Sequence, residues 1–281
     1  MGNFLRNLYR ELHYKIIKRN YHYFSASSRS LPDFIINGTV RSGTTSLFNY
    51  LGQHPCIINA SQDEIGFFDS NFHLGFNWYR SFFPTFDELN KIKNHFGYSL
   101  TCEDTPFYFW KPSAIKLIKK HLPNCTFITI FRNPIDRAYS NYHLAVRTGN
   151  EKNSFEDVIQ NEIKILKNSD LFSNSELILK GKSYVGKSLY SFLFKNWLDE
   201  FDLSKIHTLS TEELSRDPEK SLNEIFDFLK IPHFKVKNLQ KHKHEIYEPM
   251  DVKTRELLRI FFQPYNEELF KMIGKRFDWE N

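Results

Sequence analysis

Residues 33–37 read DFIIN, a short apolar run with β-branched side chains, and at Gly38 the chain changes character. Gly38 to Thr45 spell GTVRSGTT; beyond them Leu47, Tyr50 and Leu51 share one helical face until His54-Pro55. A buried strand, a glycine-rich turn and a helix over residues 44–53 are therefore expected in direct succession. The turn also carries chemistry. Its glycines let backbone N–H groups converge, and the helix N-terminus adds partial positive charge, which together cradle a phosphate. A plain strand–turn–helix joint is the competing reading. It has no use for the cation Arg41 or for three consecutive hydroxyls, Thr44, Thr45 and Ser46.

The rest of the chain alternates in the same way. TFITIF at residues 126–131 is the clearest buried strand, and residues 56–59 and 206–210 read as shorter ones. Helices are expected over residues 113–121, 134–147, 154–168, 187–201, 217–229 and 253–273. Pro134 suits a first helical turn, Ser154 and Asp157 form a capping pattern, and Pro264 should interrupt the last helix. Residues 60–84 read as an aromatic-rich loop. Strands alternating with helices imply an α/β fold, a central parallel sheet flanked by helices. No Gly/Ser- or Pro-rich linker divides the 281 residues, so one domain is expected over residues 31–281 behind a basic helical extension, residues 1–30. In such sheets ligands sit beyond the carboxyl ends of the strands.

Net charge is +5: a mildly basic soluble protein is the first reading and a site for anionic ligands the second, and the dispersal of the basic residues argues against nucleic acid. Cys56, Cys102 and Cys125 are far apart, with no CxxC or Cys/His spacing, so no metal site is expected and a reducing, cytoplasmic location fits. No apolar core of a signal peptide and no run of about 18 apolar residues appears. Phe4 to Phe24 mix Arg and Lys with apolar residues at helical spacing. A helix packed on the domain is the first reading, and a membrane-surface helix the second. Gly2 invites myristoylation, but Arg6 stands where that signal has Ser or Thr.

Gly38 and Gly43 have the spacing of the phosphate loop of nucleotide hydrolases, yet Thr44 occupies the position of its lysine. The cation is displaced to Arg41, inside the curl. A second loop, FRNPIDRAYSNY at residues 131–142, follows the strong strand. Arg132 leaves the strand end, and Ser140 lies eight residues on, about two helical turns. Both can reach one anion there, through a guanidinium fork and a hydroxyl, the alternative being a helix-cap region with surface salt bridges.

Together the two loops resemble the sulfotransferase family that uses 3′-phosphoadenosine 5′-phosphosulfate (PAPS). Arg41-Ser42-Gly43-Thr44-Thr45-Ser46-Leu47 is similar to its 5′-phosphate loop, and Arg132 to Ser140 to its 3′-phosphate element. Gln62 to Asp69 (QDEIGFFD), Phe76 to Pro84 and Tyr190 to Phe201 resemble segments of the branch related to heparan sulfate sulfotransferases. Tyr247 to Met250, Pro264 to Asn266 and Phe277 to Trp279 look like bacterial-type members, so the likeness covers residues 33 to 279.

The resemblance implies a sulfotransferase fold of the phosphate-loop type and transfer of a sulfuryl group to a hydroxyl or amine, with adenosine 3′,5′-bisphosphate as product and no metal. It places Arg41 on the leaving phosphate, Ser42, Gly43, Thr44, Thr45 and Ser46 around the 5′-phosphate, and Arg132 with Ser140 on the 3′-phosphate. Glu64 becomes the base that takes the acceptor proton. Tyr184, in the stretch 182–190, and Lys243, in a basic loop with Lys241, His242 and His244, are expected at the nucleotide. Trp110 and Trp78 could stack an acceptor ring, with the core as the alternative.

Asp63 and Asp104 stand where many relatives carry lysine, and Gly66 replaces a frequent His or Arg. That favours a neutral or cationic acceptor over a highly anionic one, unless Lys111 or another cation substitutes; a carbohydrate or small natural product is the expected class. Two other readings remain at this point: a nucleotide kinase or hydrolase on a variant loop, and a nucleotide-binding protein that has lost its chemistry.

Overall fold

The computed structural model of the protein describes residues 19–168, 183–240 and 248–279. Helix α1 (Arg19–Phe24) precedes β1 (Phe34–Gly38) and α2 (Thr44–Leu51). Next come β2 (Ile57–Asn59), α3 (Gly75–Arg80), α4 (Phe86–Phe96) and β3 (Leu100–Asp104). α5 (Pro112–His121), β4 (Thr126–Phe131), α6 (Pro134–Arg147) and α7 (Phe155–Asn168) follow. The C-terminal part holds α8 (Tyr190–Leu198), β5 (Ile206–Ser210), α9 (Thr211–Arg216), α10 (Pro218–Phe228) and α11 (Val252–Ile273).

The strands form one parallel sheet in the order β2-β3-β1-β4-β5. Every residue of β1, and every residue of β4 after Thr126, is buried. Burial on both faces is why these strands read as unbroken apolar runs. From β1 the chain passes to β2 and β3 on one side, then crosses to β4 and β5 on the other. The order reverses between β1 and β4, and a crevice outside the carboxyl ends at that point is where such sheets take ligands. Both phosphate-type loops emerge there.

Gly38 is needed at the end of β1 for space. A Cβ on it would lie 2.6 Å from Phe109 Cβ and 2.9 Å from Cγ, the near end of that buried ring, which cannot swing away. Gly38→Ala should therefore overpack the core and cost about 1–3 kcal/mol, read as a lower urea midpoint; an unchanged midpoint would contradict this packing.

Four elements were not expected from the sequence: α3, which lies inside the stretch read as loop over residues 60–84, the short α9, β3 and α4. β3 lies beside β1, yet LTCED ends in two acids and does not look like a buried strand. Its Glu103 is fully buried and accepts hydrogen bonds from Tyr79 (2.5 Å), Thr105 (3.0 Å) and Tyr108 (3.3 Å). Burial pushes its pKa up to about 7 against the pull of those three hydroxyls. α4 opens on a capping box: the Thr85 hydroxyl accepts from the Glu88 N–H, and the Glu88 carboxylate accepts from the Thr85 N–H. The Ser154 cap expected for α7 is present, with its hydroxyl accepting from the Asp157 N–H at 3.1 Å.

Two expectations are corrected. α11 runs through Pro264 unbroken. The carbonyl that proline deprives of a partner belongs to Ile260, and both residues face solvent, where water satisfies it. The helix expected from residue 187 starts at Tyr190, after a 3-10 turn over Gly186–Ser188. Glu162 sets that turn by accepting from the N–H groups of Tyr184, Val185 and Gly186. The three cysteines are buried and unpaired. Among the described residues no helix is long and apolar enough to cross a membrane.

Candidate active site

The first loop closes on itself. The Thr39 N–H donates to the Ile130 carbonyl (2.7 Å), tying the loop to β4, and the Thr39 and Ser42 hydroxyls bond each other at 2.6 Å. Thr211, just past β5, donates to the Ser42 carbonyl at 2.6 Å. Arg41 (φ 71°) and Gly43 (φ 90°) both adopt the left-handed conformation that turns the backbone inward. The first bond of α2 runs from the Leu47 N–H to the Gly43 carbonyl (3.0 Å). The N–H groups of Thr44, Thr45 and Ser46 precede it in the first turn of the helix, the geometry of an anion site. The Ser42 side chain is fully buried and its hydroxyl is engaged with Thr39 on the inside of the curl.

The second loop is locked to the first. Arg132 donates through Nη1 to the Arg41 carbonyl (3.1 Å), and Arg41 donates through Nε to Ser140 Oγ (2.9 Å). Arg41, Arg132 and Ser140 are thus brought together, with the Arg41 guanidinium spanning from its own loop to Ser140. They line one cavity of about 1140 Å³ with Ser42 to Ser46. Arg147 and Thr211 line it as well and were not anticipated. Arg147 had a signal: it lies seven residues after Ser140, on the same face of α6. Arg137, inside the same motif, points elsewhere. It is fully buried, donates to the Ser188 hydroxyl (2.6 Å) and the Tyr184 carbonyl (2.5 Å), and desolvation lowers its pKa to about 10.

A second cavity of about 470 Å³ adjoins the first, and Glu64 and Phe107 line both. Glu64 is exposed, holds a left-handed conformation (φ 51°) and donates its N–H to the Asp104 carbonyl at 3.0 Å, which fixes it past the end of β3. Asp69, Trp110, Lys111 and Lys187 also line this second cavity. Lys111 Nζ stands 3.6 Å from the Asp69 carboxylate. Lys187 Nζ lies 5.1 Å over the Trp110 ring, and desolvation holds its pKa below the usual lysine value. Lysines do supply cations here, from elements other than those bearing Asp63 and Asp104. Trp78 belongs to an aromatic cluster with Phe67 and Phe82.

Tyr184 is not brought to either cavity. It is 1% exposed in a second apolar core beside α6, and its phenol donates to Glu151 at 3.1 Å. The stretch 182–190 was expected at the nucleotide, but the Tyr184 carbonyl accepts from Arg137. Lys243, with Lys241, His242 and His244, lies outside the described residues.

A parallel sheet with a phosphate-type loop at its switch point, and a carboxylate between two cavities, defines an α/β group-transfer architecture. Within that class, the chain matches the sulfotransferase-domain family over residues 31–279 and belongs to it. It is 27% identical to the membrane-associated sulfotransferase kil1 of Dictyostelium discoideum, across 89% of this chain and 67% of kil1. It is 28% identical to heparan sulfate glucosamine 3-O-sulfotransferase 3B1 of Mus musculus, across 91% of this chain and 66% of that protein. A bifunctional heparan sulfate N-deacetylase/N-sulfotransferase 1 of Caenorhabditis briggsae is 30% identical across 89% of this chain, which spans only 31% of its length. Among solved structures, a sulfotransferase from Alicyclobacillus acidocaldarius superposes with a TM-score of 0.67 at 25% identity, covering 90% of this chain and all of that one.

Proposed function

We propose that the protein moves a sulfuryl group from PAPS to a hydroxyl or amine of a carbohydrate or small-molecule acceptor. The observation that carries this reading is the position of Glu64 at the junction of a phosphate-type cavity and a second, mixed-charge cavity. In this reading the larger cavity takes the nucleotide. N–H groups of Thr44 to Ser46 and the Arg41 guanidinium hold the 5′-phosphate and the oxygen that leaves with it. Arg132 and Ser140 hold the 3′-phosphate. The acceptor enters by the smaller cavity, its oxygen or nitrogen attacks sulfur, and Glu64 takes the proton lost by the acceptor. The sulfur–oxygen bond to the 5′-phosphate breaks and its electron pair leaves on that phosphate. The protein's contribution is alignment and stabilisation of the charge that develops there.

Thermal unfolding tests the donor assignment. Adenosine 3′,5′-bisphosphate without metal should raise the melting temperature, because it binds the folded state alone. Stabilisation by ATP with Mg²⁺ and none by the bisphosphate would refute the assignment and favour a nucleotide hydrolase.

A further inference from the structure

The two positions at which the chain replaces lysines of the resembled pattern with acids, Asp63 and Asp104, meet in the structure. The Asp104 side chain is fully buried, and neither of its carboxyl oxygens receives a hydrogen bond from any described residue. Asp63 turns its Oδ1 inward, equally without a donor. The Glu64 N–H is held by the Asp104 carbonyl at 3.0 Å, so Asp63, the residue before Glu64, lies alongside Asp104, and its carboxyl acts on that of Asp104. Among the described residues, the other charged groups that act most on Asp104 are acids: Glu64 beside Asp63, and Glu103 beside Asp104 on β3. Glu103 has its own three hydroxyl donors, and Lys111 is engaged with Asp69. Arg41 and Lys187 lie across the two cavities that Glu64 lines.

A buried carboxylate with no donor is costly, and two in contact cannot both remain ionised. A single proton between them resolves both faults, because Asp104 then donates to Asp63. Burial and Asp63 both push the Asp104 carboxyl in that direction, to about 10. The consequence reaches Glu64 by two routes. Its N–H is held by the Asp104 carbonyl, so the pair anchors the turn that presents it. Its carboxylate follows Asp63 in the chain and feels one negative charge from the pair rather than two.

We propose that Asp63 and Asp104 share one proton, and that the resulting singly charged pair positions Glu64 and keeps one negative charge beside its carboxylate. Both are positioning residues. Glu64's role as base rests on the sulfotransferase reading, whereas the shared proton and its effect on Glu64 do not.

Carboxyl ¹³C NMR of the full chain, labelled at Asp and Glu, reads this without an acceptor. Asp104 should keep the chemical shift of a protonated acid between about pH 5 and 8, while exposed aspartates show carboxylate shifts. The Glu64 resonance, assigned by its loss in Glu64→Gln, should titrate about half to one unit lower in Asp63→Asn, where the pair's charge is gone. In Asp104→Asn the amide still donates to Asp63 and the charge is kept, so the Glu64 midpoint should stay in place. A carboxylate shift for Asp104 at neutral pH overturns the proposal, as does an equal lowering in both variants. Should Asp104→Asn fail to fold, backbone-correlated assignment of Asp104 in the unsubstituted chain, together with Asp63→Asn, decides the matter. Failure here with the bisphosphate still stabilising the protein would remove the shared proton and leave the sulfotransferase reading standing.

Discussion

On the proposed role of Glu64 as base, Glu64→Gln should lower turnover by about 10²–10⁴-fold and leave adenosine 3′,5′-bisphosphate bound, because the variant keeps the side chain's size but cannot take the acceptor proton. The amide keeps the shape of the side chain and the backbone bond to Asp104, so the turn that presents it is preserved. It cannot accept a proton from the acceptor. Glu64 also lines the larger cavity, where on the proposed reading its negative charge would oppose the phosphates, so the neutral variant should bind the bisphosphate as tightly or somewhat more tightly. The measurement pairs bisphosphate release during turnover with calorimetric binding, using an acceptor found by screening compounds grouped by charge with sulfate-labelled PAPS. Unaltered turnover would take Glu64 out of the base role. A parallel loss of turnover and bisphosphate affinity would point instead to a damaged cavity.

The parts of this molecule legible in its sequence are those where one local signal determines the outcome. β1 and β4 are buried on both faces, so they read as apolar runs, and their loops could be placed at the sheet's carboxyl edge. Spacing along α6 put Ser140 within reach of Arg132, and a likeness of motif singled out Glu64. β3 was hidden because its burial is secured by long-range partners. Tyr79 and Tyr108 make Glu103 tolerable in the core, and neither is marked by spacing. Lys187 was read as the start of a helix; it lines the second cavity because Glu162, far along the chain, folds the turn just before it. Asp63 and Asp104 were each visible as departures from a pattern, but their contact depends on how the segment after β2 lies against the end of β3. The placing of Tyr184 depends on the same kind of long-range packing: its position in the chain says nothing about which core a ring enters.

Arg132→Ala should weaken adenosine 3′,5′-bisphosphate by about 10–150-fold, the range for one lost charge-assisted contact, and weaken adenosine 5′-phosphate far less. The comparison is required because Arg132 has two jobs. It faces the cavity that should hold the 3′-phosphate, and it also braces the first loop through the Arg41 carbonyl. Loss of that brace alone would slacken the cradle beneath the 5′-phosphate and harm both nucleotides equally. Loss of a 3′-phosphate contact harms only the nucleotide that carries one. The ratio of the two affinities, measured by titration calorimetry at one ionic strength, therefore separates recognition from scaffolding. Ser140→Ala supplies the scale. Its neutral hydroxyl should be worth about 0.5–1.5 kcal/mol, and removing it also releases the Arg41 guanidinium from its 2.9 Å bond. If Arg132→Ala lowers both affinities by the same factor, the 3′-phosphate assignment falls and Arg132 is left as a brace for the loop.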